Sequence, residues 1–255
     1  MKLQLIFIYF AALRNAAEND KVDMIYYYLI SKDSIDTKYF IACDNLKKIA
    51  IPYSITSIKD NAFSYCSRLT DVLMPSSVDL IEKDAFSYCT SLERIKIPPF
   101  VTSIKYKTFS NCSSLSRILI PSSVTSIEPY AFSECTSLTN VSIPASVNSI
   151  GEGAFNKCCS LKKISIPLDL LEIKQFTFGG CSSLTEISIP SSVFSIGDCA
   201  FGECSSLKRI YICSNISSIG MNAFSRCWSL EEVIMPSSLK VDGIWLALNI
   251  KIIKK

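Results

Sequence analysis

The chain has 255 residues, with 26 Lys and Arg against 23 Asp and Glu, which gives a formal net charge of +3 at pH 7. A charge so close to balance argues against nucleic acid as the partner. The sequence contains no histidine, so the commonest general base near neutral pH and the commonest metal ligand are both missing. We therefore predict no catalytic residue, no cofactor and no metal.

Residues 1–28 do not follow the pattern of the rest of the chain, and two interpretations remain open. Residues 1–13 resemble a short signal peptide, although Gln4 interrupts the apolar run and Arg14 stands where a small cleavage-site residue is expected. The alternative is a helix–turn–helix over residues 13–30 that resembles the helical pair of an ankyrin repeat. We favour a helical cap over residues 1–28 that covers the open edge of the first repeat. The ankyrin positions are Leu13, Ala16, Ala17, Asn19, Ile25 and Leu29.

Residues 29–239 are dominated by a repeat of 23 residues. Proline recurs at this step, as do phenylalanine and leucine. A fixed period of this length predicts a solenoid, in which each unit buries its apolar face only against its neighbours. The apolar positions also account for a mean hydropathy of +0.30 without a membrane. The prolines are Pro52, Pro75, Pro98, Pro121, Pro144, Pro167, Pro190 and Pro236, and the phenylalanines are Phe63, Phe86, Phe109, Phe132, Phe155, Phe178, Phe201 and Phe224.

One unit, read from Leu115, predicts the local structure of them all. Ile118 and Ile120 alternate with outward residues, as in a strand with one buried face. Pro121 ends the strand because it has no N–H for a ladder. A polar corner and a second short extended piece follow. Phe132, Cys135 and Leu138 then follow one another at intervals of three residues, which predicts a tight 3₁₀ or helical turn.

Nine of the twelve cysteines fall in one column at the same step. In a stacked solenoid neighbouring members would be separated by about one strand spacing, ~4.8 Å, which a disulfide tolerates. Side chains that fill one interior slot behave more often as small buried hydrophobes, so we favour free thiols over systematic disulfides. The column is Cys43, Cys66, Cys89, Cys112, Cys135, Cys158, Cys181, Cys204 and Cys227.

The segment from Ile120 to Pro144, IPSSVTSIEPYAFSECTSLTNVSIP, resembles the BspA-type leucine-rich repeat of bacterial surface antigens. The resemblance covers about 51–238 as eight full units, with a degenerate unit at 29–50. It implies a β-rich leucine-rich repeat solenoid that binds proteins through its strand face, with adhesion to host proteins or other cells as the role. It implies no catalytic residues.

Residues 240–255 lose the repeat and are predicted to form a degenerate C-terminal cap or tail. Their apolar run is shorter than the roughly 20 residues that a membrane span needs. We therefore predict no transmembrane span.

The outward strand positions form the candidate binding face. We expect Arg94, Lys96 and Arg117 to contact an acidic protein partner of a monomeric solenoid, with Tyr211 as an aromatic anchor. The full candidate set is Lys48, Arg94, Lys96, Arg117, Leu119, Lys163, Arg209 and Tyr211.

Two functions remain open on the sequence. The family resemblance favours a recognition protein that acts in adhesion at the cell surface or after secretion. The predicted free thiols and the ankyrin-like start favour a cytoplasmic interaction scaffold. An enzyme is disfavoured, because the sequence has neither histidine nor a phosphate-binding loop motif.

Overall fold

The computed structural model describes Leu29 and residues 32–212, 216–237 and 251–254. Over these ranges the chain is a parallel β-solenoid, as predicted. Each unit contributes one strand to a first ladder, turns a corner, contributes a shorter strand to a second ladder, and returns through a turn segment. We call the two ladders A and B and number the strands in chain order across both.

Ladder A carries the longer strands in three parallel sheets, in the orders β2-β4, β6-β8-β10-β12 and β14-β16-β18-β19. Paired residues are 23 apart, except that β19 pairs Lys251 with Glu232. The strands are β2 Lys48–Ala50, β4 Asp71–Leu73, β6 Arg94–Lys96, β8 Arg117–Leu119, β10 Asn140–Ser142, β12 Lys163–Ile164, β14 Glu186–Ile189, β16 Arg209–Ile212, β18 Glu232–Met235 and β19 Lys251–Lys254.

Ladder B consists of two-residue strands in the sheets β1-β3-β5, β7-β9-β11 and β13-β15-β17. A four-residue helix, α1 (Thr37–Phe40), follows its first strand. The strands are β1 Ser34–Ile35, β3 Ser57–Ile58, β5 Leu80–Ile81, β7 Ser103–Ile104, β9 Ser126–Ile127, β11 Ser149–Ile150, β13 Glu172–Ile173, β15 Ser195–Ile196 and β17 Ser218–Ile219.

The core is a stack of phenylalanine rings that runs from Phe40 to Phe224. Neighbouring ring centroids lie 5.2 to 5.7 Å apart. Their planes are within 15° of parallel. The isoleucines of both ladders close the other sides of the interior. Because each ring packs against the rings before and after it, identical residues stacked at the same repeat position hold the units together.

The described cysteines are free thiols. Within the column, each thiol from Cys66 to Cys227 donates a hydrogen bond to the backbone carbonyl of the phenylalanine 26 residues earlier, at 3.0 to 3.3 Å. The Phe109 carbonyl, for example, accepts from the Cys135 thiol at 3.1 Å and from the Cys112 N–H at 3.2 Å. Burial raises the pKa of Cys66 to about 12. The column therefore links adjacent units through protonated thiols.

The turn segments are built from single turns rather than a continuous 3₁₀ helix. Cys66 N–H donates to the Phe63 carbonyl at 3.1 Å and Leu69 N–H donates to the Cys66 carbonyl at 3.0 Å, as the spacing of three predicts. From Asn61 onward, two residues in each described unit, such as Asn61 and Tyr65, adopt the left-handed conformation, with φ of 56° and 62°. These residues reverse the chain direction and prevent a longer helix.

Both predictions for the N-terminus, the signal-like segment and the ankyrin-like pair, lie outside the described residues, except that Leu29 is buried. The predicted boundaries at 28 and 239 stay predictions. At the C-terminal side, β19 adds a strand to ladder A beside β18. Within the described ranges, no helical stretch has the length and hydropathy of a membrane span.

Candidate functional site

The outward positions of ladder A form a surface of side chains that stands on a buried apolar floor. In β6, Arg94 and Lys96 are exposed while Ile95 points into the core, and β8 repeats this pattern. The alternation follows from the period of two in a strand. It places the predicted outward side chains in two rows that run along the solenoid axis.

The first of these rows is ordered by charge. Lys163 forms an ion pair with Glu186 at 3.8 Å, and Arg209 forms one with Glu232 at 3.5 Å. Both pairs join outward positions 23 residues apart on successive strands of ladder A, and opposite charges on neighbouring strands stabilise a sheet by about 0.2–1 kcal/mol. The row reads Lys48, Asp71, Arg94, Arg117, Asn140, Lys163, Glu186, Arg209, Glu232 and Lys251.

The pair Arg94 and Arg117 breaks this order. The two arginines are directly opposed in the register of β6 and β8. Across the residues that the structure describes, neither forms an ion pair with a carboxylate, and neither does Lys96. Three cations therefore lie together without an ion pair to a carboxylate, an arrangement that suits an anionic ligand.

These cations line a groove of about 700 Å³, which we call groove A. Leu73 and Leu119 stand in its second row and are 65% and 76% exposed. Asn140 lies beside Arg117 in the first row and supplies a neutral amide. Groove A thus combines three cations that form no ion pair, one carboxylate (Asp71) and two exposed aliphatic side chains. This mixture, with its excess of positive charge, suits a protein segment that carries both acidic and apolar residues.

The remaining predicted residues lie elsewhere on ladder A. Lys163 and Tyr211 line a second depression of about 560 Å³, together with Glu186. Arg209 precedes Tyr211 by two residues, and a hydrogen bond with the tyrosine raises the pKa of its guanidinium. Lys48 lies at the other end, in register with Asp71 of β4. The structure therefore brings Arg94, Lys96, Arg117 and Leu119 together and separates them from Lys163, Arg209 and Tyr211.

The members of this row can be identified in the sequence, because they recur at the 23-residue step. The total number of acidic and basic residues on the face does not show that their charges alternate. The informative signal is the sign of each neighbour, because only Arg94 and Arg117 place like charges side by side in the row as described. The described residues contain no group of three or more side chains that could hold a metal ion.

The leucine-rich repeat family described as "BspA type Leucine rich repeat region" matches residues 33–158 and 125–243, in six copies. Among solved structures, a leucine-rich cell surface protein of Faecalibacterium prausnitzii is similar at 36% sequence identity with a TM-score of 0.54, over 75% of this chain and 60% of that protein. No curated protein matches the chain in sequence.

Two further structures share the fold at lower identity. The pneumococcal vaccine antigen PcpA matches at 21% identity and a TM-score of 0.55, over 81% of this chain and 62% of that one. A leucine-rich repeat protein of Eubacterium ventriosum matches at 22% identity and a TM-score of 0.53, over 87% of this chain and 70% of that protein. The chain therefore spans less than two thirds of the length of the first two of these three proteins.

Proposed function

We propose that this chain, which belongs to the BspA-type leucine-rich repeat family, is a recognition protein of the cell surface that binds a protein ligand in adhesion. The family is generally a non-catalytic repeat scaffold, and a solenoid suits protein binding because it presents an extended surface of repeated side chains. The surface location is supported by the relative from F. prausnitzii, which is a cell surface protein.

Groove A is the proposed binding site, and the observation that carries it is the unpaired Arg94–Arg117 pair. Elsewhere along the same row Lys163 and Arg209 have carboxylate partners on the next strand. Charged neighbours in this row have opposite signs except at Arg94 and Arg117, and an acidic segment bound there would supply the missing negative charge. Leu73 and Leu119 would contact apolar side chains of the same segment.

Protease shaving tests the location. Intact cells are treated with protease, and the released peptides are identified by mass spectrometry beside a lysed control. Release of repeat peptides from intact cells is expected. Protection until lysis would overturn the surface role and would favour an intracellular interaction scaffold, the second candidate, which the column of free thiols supports because thiols persist in reducing compartments.

The site is tested separately with a fluorescent peptide of alternating Glu and Leu as the probe. We expect salt-dependent binding that falls at least tenfold in the double variant Arg94→Glu/Arg117→Glu. The matched control is Lys162→Glu/Lys208→Glu, which makes the same change in net charge outside groove A. Equal loss in both variants would reduce the interaction to net charge and would remove groove A as the site.

A further inference from the structure

A second groove lies on the turn side of the solenoid, away from ladder A. This turn groove has a volume of about 620 Å³ and crosses five successive units, from Asn61 to Asn156. Its floor includes the serine column Ser64, Ser87 and Ser110, which is buried beneath the two left-handed positions of each unit. The stacking of units therefore produces an elongated channel with hydroxyl groups at its base.

The composition of the turn groove differs sharply from that of groove A. All fourteen lining residues have hydrogen-bonding side chains: four Tyr, four Ser, three Asn, one Asp, one Glu and one Lys. None of the fourteen is aliphatic. The apolar side-chain surface of the turn groove is therefore concentrated in its tyrosine rings.

Two of these rings form an exposed stack. The centroids of Tyr65 and Tyr88 lie 4.5 Å apart with an interplanar angle of 5°. The two side chains remain 51% and 40% exposed. Tyr106 and Tyr130, which also line the turn groove, meet edge to face with their ring centroids 6.2 Å apart. Tyrosines held against one another are pre-organised, so a ligand that packs on them loses little side-chain entropy from the protein.

The charges that line the turn groove, two acidic and one basic, lie near partner groups, and the charge of Lys107 acts on Asp84. Lys107 Nζ lies 5.1 Å from the centroid of the Tyr106 ring and 6.0 Å from that of Tyr130. Glu134 pairs with Lys157 at 3.3 Å, and the Tyr130 hydroxyl donates to Glu152 at 2.5 Å. Groove A has three cations that form no ion pair, whereas in the turn groove the three charged residues, Asp84, Lys107 and Glu134, are outnumbered by hydroxyls and amides. The turn groove suits a ligand without net charge.

We propose that the turn groove binds a neutral, linear oligosaccharide. The C–H faces of sugar rings pack against tyrosine rings, and their hydroxyls exchange hydrogen bonds with serine and asparagine side chains. The elongated shape fits a chain of sugars rather than a single one. Tyrosine, serine and asparagine also occur at protein-binding surfaces, but the elongated lining of hydrogen-bonding side chains favours the oligosaccharide.

The test is calorimetric titration with cello-, malto-, xylo- and chito-hexaose, with a heparin hexasaccharide as the anionic comparison. We expect at least one neutral hexasaccharide to bind with a dissociation constant below 1 mM, which corresponds to about −4 kcal/mol. The double variant Tyr65→Ala/Tyr88→Ala should weaken this binding at least tenfold. It is compatible with the fold, because Ala42 occupies the equivalent left-handed position, with φ of 54°.

Two controls make the result specific. Tyr53→Ala removes a tyrosine that is 76% exposed outside the turn groove and should leave binding unchanged. Arg94→Glu/Arg117→Glu should also leave it unchanged, so that failure of this proposal and failure of groove A are separate results. Binding of none of the neutral hexasaccharides, binding of heparin alone, or equal affinity in the Tyr65→Ala/Tyr88→Ala variant would overturn the proposal.

Discussion

Arg94 and Arg117 occupy directly opposed positions on neighbouring parallel strands, β6 and β8. Like charges in this relationship destabilise a sheet, by an amount similar to the 0.2–1 kcal/mol or so that an opposite-charge pair contributes. The solenoid carries this repulsion at one place in a row whose other charged neighbours have opposite signs. Stability and binding should therefore respond in opposite directions when one of the two arginines is removed.

The first prediction tests this opposition. Arg94→Gln should increase the free energy of unfolding by about 0.2–1 kcal/mol at low salt, because it removes the like-charge pair. The measurement is urea denaturation at two ionic strengths, and the gain should shrink at high salt. The matched control Arg209→Gln removes a paired arginine and should lower stability by 0 to about 1 kcal/mol. A loss of stability in both variants would contradict the interpretation.

The second prediction concerns the phenylalanine stack. Phe132 lies between Phe109 and Phe155, at centroid distances of 5.5 and 5.4 Å. Phe132→Ala should lower the free energy of unfolding by about 3–5 kcal/mol, because the buried ring leaves a cavity that a single-layered stack cannot fill. Chemical denaturation measures the loss. Phe194→Ala removes a ring that is 49% exposed and should have a much smaller effect. Unchanged unfolding of the Phe132 variant would refute the register.

The third prediction is an alkaline loss of stability that originates in the cysteine column. Burial raises the pKa of Cys66 from its ordinary 9.0 to about 12, and it raises that of Cys135 well above the ordinary value. A thiol whose pKa rises on folding stabilises the folded state fully below about pH 9 and loses this contribution as the pH rises towards its folded value. The free energy of unfolding should therefore fall between pH 9 and pH 12.

Each thiol that titrates only after unfolding contributes a slope of about 1.4 kcal/mol per pH unit in this window. Unfolding followed by circular dichroism from pH 8 to pH 11 measures the total slope. The Cys135→Ala variant should show a shallower slope, by about one such contribution. Cys159→Ala, at a half-exposed thiol outside the column, is the control. If the slopes of all three proteins were identical, the column would not be the source.

The fourth prediction concerns backbone approach between units. A Cβ added at Gly151 would lie 2.3 Å from the Pro129 nitrogen, closer than any side chain tolerates. Gly151→Ala should therefore destabilise the protein by about 1–3 kcal/mol, measured as a lower urea midpoint. At Gly202 the nearest atom to an added Cβ is the Ser225 hydroxyl, at 3.3 Å, so Gly202→Ala serves as the control. Equal tolerance of both substitutions would show that the units can separate locally.

The sequence was sufficient to predict the solenoid, the alternation of the ladder A strands and the identity of the interior columns, because each depends on side-chain type at a fixed period. The left-handed turn positions were not predictable in this way. The position of Tyr65 is occupied by Tyr, Asn, Glu, Lys, Gly and other residues in successive units. Its conformation is imposed by hydrogen bonds to the next unit, such as the one from Tyr65 N–H to the Ser87 carbonyl at 2.8 Å.

The two grooves also show which features the sequence alone could not predict. The cations of groove A could be assigned to one face from the period alone, whereas their lack of partners required the positions of the carboxylates. The turn groove was missed altogether. Tyr65 and Tyr88 share a repeat position, but Tyr106 and Tyr130 occupy two other positions of the repeat and converge only through the fold of the turn segments. Aromatic residues that converge from different columns leave no periodic signal in a sequence.

The hydrogen bonds from the column thiols, Cys66 to Cys227, to the phenylalanine carbonyls of the preceding units determine how such a chain can change in length. The main contacts between units join residues at fixed separations, 26 for the thiol bond and 23 for the paired strands. Duplication or deletion of a gene segment that encodes 23 residues would therefore reproduce every one of these contacts. A change of one or two residues within a unit would displace all of them at that junction. The architecture can thus lengthen or shorten by whole units during evolution, while individual residues on its two grooves vary independently of the interior.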